Sequence, residues 1–185
     1  MESTTFSLPG PILIKPRKLG DERGYFMEVF KDGWFREHVA DTGFVQDNQA
    51  LSAHMGTIRG LHYQMDPMAQ GKLVRCLKGA IFDVAVDIRP GSASFGQWVA
   101  ATLTPEDGHQ LWVPEGFAHG YCTLTDHCEV FYKVTAPYSA EHDRGLAFDD
   151  PDIDIDWPIK EGDAILSAKD RSQPSLKSLS TQIEA

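Results

Sequence analysis

Arg59 and His62 sit three positions apart in the stretch "TIRGLHYQ", residues 57–64. A buried strand would carry apolar side chains here, and a half-exposed one would alternate. This stretch instead sets a guanidinium and an imidazole around a glycine and a leucine. Lys72 and His119 follow further along. Imidazoles move protons near neutral pH. Guanidinium and ammonium groups hold negative charge that develops on oxygen. Brought into one cleft, His62, His119, Lys72 and Arg59 suit proton abstraction next to a carbonyl.

Such groups need a rigid frame, and strand signals supply it. "GPILIKPRKL" alternates near the N-terminus, with little nearby to pair with. "GYFMEVF" puts Tyr25, Met27 and Val29 on one face and Phe26, Glu28 and Phe30 on the other. "KLVRCLKGAIFDVAVDIR" reads as two strands broken at Lys78-Gly79, and "GQWVAATL", "QLWVP", "GYCTL" and "CEVFYKVTAPY" follow. Many short strands separated by Gly, Pro and Asp turns predict a sandwich or barrel. "DGWFREHVADTG" predicts a helix capped by its aspartate and closed by its glycine. A second short helix is expected near "EGDAILSAKD". The final "SLKSLSTQIEA" reads as a mobile tail or an edge element. The acidic run Asp149 to Asp156 lacks the glycine and closing glutamate of a calcium loop. It reads as a solvated loop anchored by Trp157.

The 185 residues suit one domain, 1–185, with a full core. With 42% hydrophobic and 24% charged residues the chain is ordinary for a soluble protein. No apolar run approaches the roughly 18 residues of a membrane span, and no secretory leader is visible at the start. The net charge of −10 repels nucleic acid and anionic membrane. Cys76, Cys122 and Cys128 are an odd count without CxxC spacing. They predict neither a disulfide framework nor a zinc cluster, and a cytoplasmic location follows.

His119 ends the most specific stretch, "GHQLWVPEGFAHG", residues 108–120. Gly108, Pro114, Gly116 and His119 give G-x5-P-x-G-x2-H, which resembles the second motif of the cupin superfamily. The resemblance implies an all-β fold, a double-stranded β-helix jelly roll, with a few short helices. A metal-binding cupin would supply two more histidines and a glutamate from its first motif. Here the matching stretch reads His62-Tyr63-Gln64, with Lys72 near the glutamate's place. An ammonium group there would repel a metal ion, so a metal-free cleft with no cofactor is expected.

Seven blocks carry a closer resemblance: "DERGYFMEVF", "QDNQALS", "IRGLHYQ", "GKLVRCLKGAIFDVAVDIRPGSASFG", "LWVPEGFAHGY", "VFYKVTAPY" and "LSAKD". In this order, from Asp21 to Asp170, they resemble the dTDP-4-dehydrorhamnose 3,5-epimerase family. The resemblance implies epimerisation at C3 and C5 of dTDP-4-dehydro-6-deoxy-D-glucose. It implies His62 as general base, Asp170 as the carboxylate that orients it, and Tyr132 as the acid on the opposite sugar face. It implies Lys72 as the enolate stabiliser, with His119 beside it either as a proton-transfer group or as a former ligand that only hydrogen-bonds. Arg23, Phe26, Glu28, Gln46, Asp47, Asn48, Arg59, Asp143 and Lys169 match nucleotide- and diphosphate-binding positions, and Tyr138 an aromatic that stacks on thymine. A homodimer with exchanged N-terminal strands is implied as well. The chain departs from the family at Gln49-Ala50-Leu51, at Asp143, where glutamate is usual, and at Tyr121, where phenylalanine is common. The nearest alternative is a single-site epimerase or an isomerase of a related nucleotide 4-keto sugar. A metal-dependent cupin oxygenase and a non-catalytic sugar-binding cupin are more distant ones.

Overall fold

The computed structural model describes residues 1–160 and 162–183. Four short strands come first: β1 (Glu2–Thr5), β2 (Ile12–Lys15), β3 (Lys18–Asp21) and β4 (Gly24–Met27). Helix α1 (Asp32–His38) precedes β5 (Gln46–Ser52), β6 (Ile58–Gln64), β7 (Lys72–Lys78) and β8 (Ile81–Asp87). Then come β9 (Trp98–Leu103), β10 (Gln110–Val113), β11 (Phe117–Thr123), β12 (Cys128–Val134) and β13 (Asp143–Gly145). A 3-10 turn (Asp170–Ser172) and helix α2 (Leu176–Ile183) complete the described chain.

Two antiparallel sheets face each other as a jelly roll. One has the order β1-β2-β10-β7-β12-β5 and the other β13-β6-β11-β8-β9. Sequence neighbours β7 and β8 therefore lie in different sheets, which places the Lys78–Ile81 corner at one end of the sandwich. The interior between the sheets is apolar there, with Cys76 and Val130 near Ile81 and Leu103, and it stays apolar along β10 and β11 as far as Val113 and Phe117. Each outer face is also covered. Phe35 of α1 meets Ile14, Leu73 and Trp112. Leu176 and Leu179 of α2, with Ile153 and Ile155, cover Leu61, Val84 and Val86.

Several expectations are corrected. β2 does have local partners, since Ile12–Lys15 is sandwiched between β1 and β10. β3 and β4 form a two-stranded ladder outside both large sheets, tied to the body by the Lys18 ammonium, which donates to the Pro105 and Glu106 carbonyls. Asp32 does not cap α1; it lies in the first turn and pairs with Arg36 at 2.9 Å, while Lys31 holds the cap position without a side-chain bond. The helix also ends at His38, well before Gly43. No helix forms over the described part of 161–170 (Glu161 lies outside the described residues). Ile165 instead bridges Thr57, giving its carbonyl to Ile58 at 3.0 Å and its N–H to Gly56 at 2.9 Å. A backbone held that way cannot close helical turns. The supposed tail is α2 as far as Ile183, with its last two residues outside the described set. Asp150 of the acidic run is buried and accepts the Leu176 N–H at 2.7 Å, so it holds the start of that helix. Trp157 anchors the loop as expected, through Nε1 to the Phe148 carbonyl at 2.8 Å.

Gly60 answers why a glycine separates Arg59 from His62. β6 and β11 approach so closely that a Cβ on Gly60 would lie 2.5 Å from the Gly120 Cα. Its φ of +144° is also one that side-chain-bearing residues rarely adopt. Gly60→Ala should destabilise the fold by about 1–3 kcal/mol, in the range of overpacking, and should dislodge His62. Urea unfolding of the variant checks this; an unchanged midpoint would mean that the strands part without strain.

Candidate active site

The polar end of the sandwich opens into a cleft of about 400 Å³. His62, Gln64, Lys72, Tyr132, Asp143 and Lys169 are among its lining residues, with Gln46, Asn48 and Tyr138 towards the mouth. Strand alternation explains the choice. On β5, Gln46 and Asn48 turn inward while Asp47 turns out and pairs with Lys133 across the ladder at 2.9 Å.

His62 is held from behind. Its Nε2 lies 2.6 Å from Asp170 Oδ1, and that carboxylate is 5% exposed. A carboxylate can only accept, so Nε2 carries the proton and Nδ1 keeps its lone pair. Asp170 also accepts the Ser167 hydroxyl at 2.8 Å through Oδ2. Burial acts to raise the Asp170 pKa, but the bonds from His62 and Ser167 outweigh it and hold the carboxyl below its ordinary range.

His119 stands directly opposite His62 on the neighbouring strand β11. Its Nε2 lies 2.7 Å from Asp83, a fully buried carboxylate on β8. Burial lowers the His119 pKa despite that carboxylate, which opposes the shift. A neutral His119 with a fixed tautomer follows. Lys72 begins β7 and is buried, with its ammonium 3.1 Å from the His62 carbonyl. Burial pushes its pKa down to about 8, against the pull of Asp143 and Asp83. Tyr132, on β12, has its phenol pKa raised by burial and further by Asp143, with Arg59 acting the other way. At neutral pH the cleft thus holds an ammonium and an intact phenol beside the His62 imidazole.

Gln64, at a cupin ligand position, is fully engaged by backbone. Its amide nitrogen donates to the Met68 and Pro137 carbonyls at 2.6 and 3.1 Å, and its oxygen accepts the Ser139 N–H at 2.7 Å. It shapes the cleft floor. Asp143 accepts the Tyr138 hydroxyl at 3.1 Å and pairs with Lys169.

Five residues singled out in the sequence are not brought to the cleft within one chain, the outward-turned Asp47 among them. Arg23 is paired with Asp21 on the exposed β3–β4 hairpin, beside Phe26, and Glu28 follows just beyond it. Arg59 is exposed and hydrogen-bonds the Ser52 hydroxyl and the Leu51 carbonyl, both at 3.1 Å. Two residues were missed. Asp83 is a charge on an inward position of the apolar run "IFDVAVD", which alternation alone could have flagged. Ser167 gave no signal, because its part depends on a turn.

A carboxylate-backed imidazole, an ammonium and a phenol around one cleft of a jelly-roll frame mark out the class, a cupin-fold isomerase. Comparison with known proteins narrows the class. Residues 5–178 match the family model of dTDP-4-dehydrorhamnose 3,5-epimerase, and the chain belongs to that family. A protein of that name from Sinorhizobium fredii is 65% identical over 164 residues, 89% of this chain and 84% of the relative. The Legionella pneumophila enzyme, solved in complex with dTDP-4-keto-L-rhamnose, superposes with a TM-score of 0.92 at 40% identity, covering 98% of this chain and 96% of that one. A 3'-monoepimerase from Streptomyces bikiniensis, in complex with dTDP-quinovose, gives a TM-score of 0.86 at 30% identity, over 97% of this chain and 89% of that one. This chain is an isomerase of the 3,5-epimerase kind.

Ser167→Ala should cost about 1–3 kcal/mol at pH 7, because its hydroxyl both donates to Asp170 Oδ2 and accepts the Asp170 N–H, two bonds of about 0.5–1.5 kcal/mol each. The Asp170 carboxyl is depressed by the first of these bonds, so that part of the stabilisation is present above the ordinary carboxylate range. It is lost as the pH falls through the depressed value. Urea unfolding of both proteins at pH 7 and at pH 3 reads this directly. An equal loss at both pH values would show that the hydroxyl does not act through the charged carboxylate.

Proposed function

We propose the following division of labour in the cleft. The reaction is epimerisation at C3 and C5 of dTDP-4-dehydro-6-deoxy-D-glucose, giving dTDP-4-dehydro-L-rhamnose. Both carbons flank the C4 ketone, so removal of either proton gives an enolate on the same oxygen. One base and one oxyanion stabiliser therefore serve both centres if the sugar shifts between steps. His62 takes the proton through Nδ1, with Asp170 holding its tautomer. Lys72 balances the enolate charge. Tyr132 gives a proton to the opposite face, leaving a phenolate and an imidazolium that solvent at the mouth resets.

One observation carries this reading. His62 belongs to β6 of one sheet and Tyr132 to β12 of the other, and both line the same cleft. A sugar ring held between the sheets would meet a base on one face and an acid on the other. Retention of configuration, or simple isomerisation, needs no such pair. No metal or organic cofactor enters the assignment, because Lys72 and Gln64 stand where a cupin metal would need anionic or imidazole donors.

Gln46, Asn48, Tyr138 and Lys169 are the nucleotide-side residues of this reading, with Arg59 reaching the diphosphate. The exposed Phe26 (66%) and Arg23 on the hairpin outside both large sheets support a homodimer. In it the hairpin of one copy, with Glu28, completes the nucleotide end of its partner's site. We read each copy as one domain, and three free, buried thiols suit a reducing cytoplasm.

In heavy water, His62→Ala should abolish both deuterium uptake and inversion, by at least the roughly 10²–10⁴-fold expected of a general base. Tyr132→Phe should still take deuterium into at least one carbon while inversion there falls steeply. Wild-type inversion rates in Tyr132→Phe would move the acid role elsewhere. Separately, sedimentation at micromolar concentration should give a dimer; an active monomer would refute the hairpin exchange.

A further inference from the structure

Asp143 opens β13 and pairs in register with Gln64 of β6, while Gly145 of the same strand lies opposite His62. Its side chain is 13% exposed. One of its oxygens, Oδ2, accepts both the Tyr138 hydroxyl and the Lys169 ammonium. Lys169 directly precedes Asp170, the carboxylate behind His62. A single carboxylate thus ties together the aromatic and the cation of the mouth. It also lines the cleft with Lys72 and Tyr132.

Lys72 is the other ammonium lining that cleft. It is surrounded by His62 on β6, Asp83 on β8, His119 on β11, Tyr132 on β12, Asp143 on β13 and Lys169 before the 3-10 turn. Among the charges that act on it, Asp143 and Asp83 favour the ammonium, while Lys169 opposes it. A nucleotide diphosphate competes with Asp143 for Lys169, whereas a base stacked on the face of Tyr138 leaves the hydroxyl bond to Asp143 in place. Once Lys169 turns to substrate, a largely buried carboxylate keeps only a neutral hydroxyl as partner, which is unfavourable unless another cation answers it.

We infer that Asp143 is a positioning residue of the reaction as well as part of the mouth. In the free enzyme it holds Tyr138 and Lys169 in place, and when the nucleotide sugar draws Lys169 away it becomes the counter-charge of Lys72. Occupancy of the nucleotide end is thereby coupled to the charge that receives the enolate. This rests on the assignment of Lys72 above.

Two substitutions should act in opposite directions on the alkaline limb of kcat/KM, which reports groups of the free enzyme. Asp143→Asn keeps the shape and removes the charge; it should move the limb to lower pH, and should move that of kcat, which reports the complex in which Asp143 answers Lys72, further still. Lys169→Met removes the opposing cation and should move it to higher pH. Shifts of about half to one unit are expected, or roughly 3–10-fold in rate on that limb. Asp143→Glu should restore the wild-type profile. Limbs that stay in place while KM rises would make Asp143 a nucleotide contact only and overturn the inference, as would shifts of the same sign. Deuterium uptake by wild-type enzyme is read in parallel. Its absence would overturn the functional assignment itself, whereas uptake with unmoved limbs would overturn the role of Asp143 alone.

Discussion

An ammonium group kept between two sheets is the constraint around which this molecule is arranged. Lys72 occupies the first position of a strand whose later inward residues, Val74 and Cys76, are buried among apolar neighbours. A charge at that depth persists only if carboxylates and carbonyls stand close. The neighbouring strands provide them: the His62 carbonyl, Asp83 behind His119, and Asp143 from the edge. Each of these lies on an inward position of its own strand, so the period of two that builds the core also delivers the polar set. The sandwich is in effect divided into an apolar interior and a polar pocket at the Gln64, Lys72 and Val134 ends of β6, β7 and β12.

That division explains why the two histidines behave differently. Both face carboxylates at hydrogen-bonding distance, yet His119 is deep and His62 is partly open to the cleft. The deep one is locked neutral and fits the role of a fixed dipole. The shallower one has its Nδ1 free for substrate. Proximity to a carboxylate sets the tautomer in both cases, and exposure decides which ring can exchange a proton.

Much of this was legible in the chain. The break at Lys78-Gly79 falls between β7 and β8, and the P-x-G-x2-H spacing places His119 on β11. The order of seven short blocks was enough to identify the family. What could not be read depends on tertiary hydrogen bonding. Residues 162–169 have the composition of a short helix, yet the backbone of Ile165 is taken by Gly56 and Ile58. α2 has Leu176 and Leu179 on one face, a weak signal that becomes a helix because Asp150 holds its first turn and the β6–β8 surface needs cover. The outward turn of Asp47 follows from β5 pairing with β12, which no local pattern specifies.

The bridge at Ile165 has a consequence for the order in which the molecule is made. His62 and Asp170 are 108 positions apart. Every strand of both sheets has been synthesised by Gly145, yet the carboxylate that bonds the His62 ring arrives 25 residues later. It comes on a segment joined to the sheet by a single β-bridge. On the ribosome, all the strands are therefore made before His62 can gain that partner. The last contribution of the emerging chain to the cleft is therefore an anion rather than more core.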